Sequence, residues 1–131
     1  MPGALVLVVD DDALVREAMG GLLAQWGCEV ALAANGEEAL AELERHDRLP
    51  DALLCDYRLP AGESGVDLIR RLRSAAGIEI PAALISGDTS PETAKDAKSS
   101  GHALLPKPVT PARLRALTEH LLAIADQDDA G

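Results

Sequence analysis

Short aliphatic runs alternate with stretches of helical periodicity along this chain. Leu5–Val9 is nearly continuous in aliphatic residues, and from Leu14 the apolar positions recur as Leu14/Val15, Ala18/Met19, Leu22/Leu23 and Trp26, the spacing of one helix face. Gly27 stands where a helix stops, and Glu29–Ala33 predicts a second short strand. Asn35 caps the next helix, with Glu38 three residues on and Ala39, Leu40 and Leu43 inward. Asp51–Asp56 predicts a third strand, followed by an irregular loop over 58–63 and a helix capped by Ser64 with Leu68, Ile69 and Leu72 inward. Ile80–Ser86 predicts the fourth strand. The Ser90-Pro91 helix after it has the preferred cap and first residue but an apolar stripe of only Ala94 and Ala97, so it buries little and is expected to be the most mobile. Ala103–Pro106 and a helix from Thr110-Pro111, with Leu114, Leu117, Leu121 and Ile124 inward, complete the pattern.

Buried apolar runs that each feed a helix are the mark of parallel strands, and right-handed crossovers then give an α/β fold: a doubly wound parallel sheet of five strands flanked by five helices. In such sheets the carboxyl ends of the strands line the ligand crevice. Four of the strands end on polar residues: Asp10-Asp11, Asp56, Ser86 and Lys107. Three carboxylates gathered at one end of a sheet repel one another unless a cation neutralises them. All-oxygen ligands with no His or Cys beside them favour Mg²⁺, with Mn²⁺ the alternative. Three negative charges, two positive from the metal and one from Lys107 sum to zero, which leaves the pocket ready for a phosphoryl group. An aspartate can accept such a group as an acyl phosphate, and Asp56 is the lone acid at its strand end. Ser86 would then donate a hydroxyl hydrogen bond and Lys107 a mobile charge to the phosphoryl oxygens.

Composition narrows the field. At 131 residues the chain holds one domain, expected over residues 4–125, and a disordered acidic tail is expected over 126–131. A net charge of −10, from 22 acidic and 12 basic residues, argues against direct nucleic-acid binding, which needs cations facing phosphates. With no Phe, one Tyr and one Trp, stacking platforms for single strands are lacking too. No run is apolar enough to span a membrane, and Met1-Pro2-Gly3 does not open a signal peptide, so a cytoplasmic domain without membrane contact is expected, whether or not its parent protein is membrane-associated. Cys28 and Cys55 are expected to be reduced, buried thiols. Trp26 is read as packing, and His46, His102 and His120 lack metal-ligand spacing.

The motifs Val8-Val9-Asp10-Asp11-Asp12, Leu54-Cys55-Asp56-Tyr57-Arg58-Leu59-Pro60, Leu84-Ile85-Ser86-Gly87 and Leu105-Pro106-Lys107-Pro108 closely resemble those of bacterial receiver domains of two-component signalling systems, over roughly residues 4 to 125. The resemblance implies a flavodoxin-like sheet of order 2-1-3-4-5. It makes Asp56 the phosphoacceptor, Asp11 a direct Mg²⁺ ligand, Asp10 the holder of metal-bound water and the Arg58 backbone carbonyl a further ligand. It gives Ser86 and Lys107 the roles of switch hydroxyl and site lysine, and implies a cis bond between Lys107 and Pro108. The implied donor is a phosphohistidine on a histidine kinase or a histidine phosphotransfer protein. The implied output is a reshaped surface of helix four, strand five and helix five, and a homodimer is compatible with it. Arg58 and Asp88 match positions that tune acyl-phosphate hydrolysis. Two departures stand out: Leu104 occupies the place, three before the lysine, of an aromatic that usually swings inward, and the loop after Pro60 is one residue longer, displacing Gly65. Both look most like the C-terminal receiver of a hybrid sensor histidine kinase; a free-standing single-domain response regulator is the alternative.

Taken singly, each residue has an ordinary role: Asp10-Asp11-Asp12 as a helix cap, Asp56 as a turn acid, Ser86 as a backbone partner and Lys107 as a solvated loop charge. Their joint placement on separate strand ends is what favours the acyl-phosphate site. A Mg²⁺-dependent phosphatase with an aspartyl nucleophile would want a second acid two residues after Asp56, where Arg58 stands, and a cap domain. A protein-binding pseudo-receiver is disfavoured by the intact acids, serine and lysine. A dinucleotide enzyme would need a glycine-rich loop after the first strand.

Overall fold

The structure is a computed structural model that describes the backbone of residues 1–130 and the side chains of residues 1–126. Five strands alternate with five helices: β1 (Leu5–Val9), α1 (Ala13–Gln25), β2 (Glu29–Ala33), α2 (Gly36–Arg45), β3 (Ala52–Asp56), α3 (Gly65–Ala76), β4 (Ala82–Ser86), α4 (Pro91–Ser99), β5 (Ala103–Pro106) and α5 (Pro111–Ala130). A 3₁₀ turn, Pro60–Gly62, interrupts the loop before α3. All strands pair in parallel in the order β2-β1-β3-β4-β5, as expected. The expected acidic tail over 126–131 lies almost entirely outside the described side chains, and its backbone through Ala130 continues α5.

Strand alternation sorts the core into two layers. Leu5, Leu7, Val9, Leu53, Cys55 and Leu84 face one side, where Ala39 of α2, Leu68, Ile69 and Leu72 of α3 and Ala97 of α4 cover them. Val6, Val8, Ala52, Leu54, Ala83, Ile85 and Leu105 face the other, covered by Met19 and Leu23 of α1 and Leu114 and Leu121 of α5. Side chains of period two on strands and 3.6 on helices bring these sets together with no further instruction. Each fully buried Leu or Ile withdrawn from water contributes about 2 kcal/mol. Cys28 and Cys55 are buried free thiols in opposite layers.

The helix starts follow their sequence signals. Asp12 accepts from the N–H groups of Leu14 and Val15, Asn35 from Glu38, and Ser64 from Asp67. Glu38 also accepts from the Ala34 N–H at 2.9 Å, one residue before the cap, which ties the incoming chain to the first turn. Two helix stripes differ from expectation. Ala94 is exposed, and α4 instead buries Thr93 with Ala97, four residues apart, because the Thr93 hydroxyl has a carboxylate partner that makes its burial affordable. On α5, Leu117 and Ile124 are only half-buried, whereas Thr118 is fully buried and donates to the Leu114 carbonyl at 2.7 Å.

Candidate functional site

The polar strand ends converge as the topology requires. β1 and β3 are neighbours, which sets Asp10 beside Asp56, and β4 and β5 deliver Ser86 and Lys107 to the same edge. Asp10 is fully buried, Asp56 and Ser86 nearly so, and Asp11 is exposed. Carboxylate oxygens of Asp10, Asp11 and Asp56 all lie within 4.8 Å of one another. Lys107 Nζ sits 3.1 Å from Asp10 Oδ2 and 3.2 Å from Asp56 Oδ2. Asp12, third in the acidic run, is spent on capping α1, so the triplet divides between structure and site.

Backbone contacts fix these groups. The Asp12 N–H donates to Asp10 Oδ1 at 2.9 Å, the Arg16 guanidinium donates to the Asp10 carbonyl at 2.7 Å, and the Lys107 N–H donates to the Ser86 carbonyl at 2.9 Å. Gly65 is required by close approach: a Cβ there would overlap the Asp56 carbonyl oxygen and come within 2.9 Å of Leu84 Cδ2. The loop before it turns at Ala61, a non-glycine residue at φ 64°, a conformation that costs about 1 kcal/mol. The Lys107–Pro108 bond is cis, as the resemblance implies.

The electrostatics call for a cation. Burial, then the neighbouring Asp10 charge, pushes the Asp56 carboxyl up to about 6, against the opposing pull of Lys107. Burial disfavours the charged form of Lys107, but its contacts with Asp10 and Asp56 outweigh that and hold its ammonium above the ordinary lysine range. Asp10 Oδ2 has no hydrogen bond of good geometry: the lysine approaches it as an ion pair off the bonding direction. A buried carboxylate oxygen lacking a directed partner, beside two further carboxylates and one lysine, leaves two negative charges uncompensated. The donor set, oxygen only, and that charge both fit a divalent Mg²⁺ or Mn²⁺.

Ser86 stands at the site, but its hydroxyl is engaged with the loop after β4. It donates to the Asp88 carbonyl at 2.9 Å and accepts from the Asp88 N–H at 3.0 Å. Asp88, which the resemblance marks together with Arg58, is a hub of side-chain bonds. It accepts from Arg58 at 2.8 Å, from the Ser90 N–H at 2.8 Å and from the Thr93 hydroxyl at 2.8 Å. These bonds, led by the Ser90 N–H, hold its carboxyl below the usual range. Arg58 thus bridges from the residue after Tyr57 to the start of α4. Tyr57 makes a second bridge, its phenol donating to Asp96 Oδ2 at 2.7 Å. Neither Thr93 nor Asp96 is marked by any sequence motif. Leu104 packs half-buried against the same core layer as Tyr57.

A five-stranded, doubly wound sheet whose strand ends gather three carboxylates against one lysine defines a flavodoxin-like domain built around an acidic pocket. The chain belongs to the response regulator receiver domain family, whose pattern it matches over residues 6–119. It is similar to the response regulator MprA of Mycobacterium leprae, with 36% identity over 126 residues, 95% of this chain and 54% of that one. The phosphate regulon transcriptional regulatory protein PhoB of Pseudomonas aeruginosa is 39% identical over 87 residues, 66% of this chain and 37% of its own. Among solved structures, the chemotaxis response regulator CheY4 of Vibrio cholerae superposes with a TM-score of 0.77 at 30% identity, covering 92% of this chain and 99% of CheY4. NtrX of Brucella abortus gives a TM-score of 0.85 at 29% identity over 98% of this chain and 29% of NtrX. The chain spans about half the length, or less, of the curated relatives it matches first. No helix among the described residues is long and apolar enough to cross a membrane.

Proposed function

We propose that this receiver domain takes a phosphoryl group onto Asp56 from a phosphohistidine of a histidine kinase or phosphotransfer protein, in the cytoplasm, and signals by changing its α4-β5-α5 surface. The observation that carries the reading is the pairing of a nearly buried Asp56 with Lys107 Nζ at 3.2 Å inside a cluster of three carboxylates. In the transfer an Asp56 carboxylate oxygen attacks phosphorus, the new P–O bond forms as the donor's P–N bond breaks, and the electron pair returns to the donor imidazole. Lys107 is placed to follow the phosphoryl oxygens as charge moves onto Asp56, and Asp10 holds the lysine in that position. A Mg²⁺ held by Asp10, Asp11, Asp56 and the Arg58 carbonyl would supply charge neutralisation for the incoming phosphoryl oxygens. Leu14, Val15, Ala18, Pro108 and Val109 form an apolar groove beside Lys107, a seat for a donor helix next to the acceptor, and Leu14 is 79% exposed there.

For the parent protein two observations pull apart. Leu104 and the longer 58–65 loop favour a receiver at the C-terminal end of a hybrid sensor histidine kinase. The identities with MprA and PhoB favour a receiver within a response regulator, free-standing or joined to an output domain that would carry any DNA binding. Intact mass after incubation with acetyl phosphate and Mg²⁺ tests the chemistry. The expected result is one added phosphoryl group that needs both Mg²⁺ and Asp56; an adduct that persists in Asp56→Asn overturns it.

A further inference from the structure

We propose that Tyr57 holds α4 in its resting position and reports the state of Asp56 to it, in the place of the aromatic that Leu104 lacks; the reporting half rests on the reading of Asp56 as phosphoacceptor. Tyr57 directly follows Asp56, and its main chain is pinned, its N–H donating to the Ile85 carbonyl and its carbonyl accepting from the Gly65 N–H, both at 2.7 Å. Its ring lies against the core layer shared with Leu104, and its phenol reaches Asp96 on α4 at 2.7 Å. No other aromatic serves that layer: the chain has no Phe and one Tyr, and its one Trp, Trp26, packs in the opposite layer.

Helix α4 depends on such ties because it buries only Thr93 and Ala97. Two polar struts run to it from the residues just after Asp56, Tyr57–Asp96 and the chain Arg58–Asp88–Thr93. They respond differently to an event at Asp56. The Asp88 main chain is held by the Ser86 hydroxyl through both its N–H and its carbonyl. A Ser86 hydroxyl that turns to a phosphoryl group on Asp56 gives up both bonds, and Asp88 carries the N-terminus of α4 with it through Ser90 and Thr93. Tyr57, fixed at its main chain to β4 and to the start of α3, cannot follow. The Tyr57–Asp96 bond therefore opens when α4 moves, and while it is closed it opposes that movement.

Amide hydrogen exchange over residues 91–99 tests this, in wild type, Tyr57→Phe, Asp96→Ala and the double variant, each without metal and with beryllofluoride and Mg²⁺. Phe keeps the ring packing and removes only the hydroxyl. Without metal, Tyr57→Phe is expected to raise exchange of 91–99 about fivefold, the equivalent of about 1 kcal/mol. Asp96→Ala should match it, the double variant should add nothing further, and residues 65–76 should be unchanged. With saturating beryllofluoride, wild type should rise to the level of Tyr57→Phe and Tyr57→Phe should rise no further; because the tie opposes the movement, Tyr57→Phe should also bind beryllofluoride about fivefold more tightly. Equal exchange of wild type and Tyr57→Phe in the resting state, or additive effects in the double variant, overturns the tie. Wild type that takes up no beryllofluoride refutes the phosphoacceptor reading and the reporting role together, while the metal-free comparison still decides the tie.

Discussion

Replacing Asp56 by Asn in the metal-free protein should make it more stable at neutral pH, even though the substitution weakens an ion pair. Asn keeps the shape and the acceptor for the Arg58 N–H, 3.4 Å away, and removes the charge that burial and Asp10 oppose. A carboxyl whose pKa is raised in the folded state binds its proton more tightly there, so its favourable contribution is complete below 3.8 and is lost as pH rises through about 6. The full difference corresponds to about 3 kcal/mol at pH 7, and water in the mouth of the site reduces it to about 1–2 kcal/mol. For a domain of this size that is a Tm increase of about 5 °C. The assay is thermal unfolding in EDTA from pH 4 to 8, followed by circular dichroism. Wild type and Asp56→Asn should coincide near pH 4 and separate as pH rises, with the variant above. Saturating Mg²⁺ should raise wild type more than the variant and close the gap. A variant that is less stable than wild type at pH 7 without metal, or a gap independent of pH, refutes the account of the site as an excess of buried negative charge.

Asp12→Ala should cost about 1 kcal/mol as a lost helix cap yet leave Mg²⁺ affinity within about twofold, whereas Asp10→Ala should abolish measurable binding; isothermal titration separates the two. Gly65→Ala should destabilise by about 3 kcal/mol in urea unfolding, because its methyl has no room against the Asp56 carbonyl. Cys55, fully buried, with burial and the Asp56 charge both raising its pKa, should resist a thiol reagent in the native state and react only on unfolding, at the rate of global opening.

The sequence pattern carried the strands most faithfully. β1, β2 and β5 match expectation to the residue because apolar runs or clean turn signals bound them, and β3 and β4 begin one and two residues later than expected, at Ala52 and Ala82. Parallel strands are legible as hydrophobic blocks because both of their faces are covered. The convergence of Asp10, Asp11, Asp56 and Lys107 followed from strand order alone. What periodicity could not deliver was polar burial. Thr93 and Thr118 are inside because each hydroxyl has a partner, Asp88 five residues earlier for one and the helix's own carbonyl for the other. Hydrophobic patterning assigns such residues to the surface. The Arg58–Asp88 and Tyr57–Asp96 bridges join residues 30 and 39 positions apart, and only the fold brings them together.

Trp26 closes α1 at the end away from Asp12, under the Arg115 guanidinium 5.5 Å from its ring centre. The 13-residue helix between them sets the indole about 20 Å from the acidic pocket. Indole emission from this protein is therefore a gauge of how α1 sits on α5, and it is blind to what enters the pocket. The phenol next to Asp56 is the only tyrosine. The chain thus carries two separately addressable optical probes on its fixed frame, one far from the pocket and one whose hydroxyl is bonded to α4, so a single ultraviolet experiment can tell unfolding from the opening of that one bond without attaching a dye.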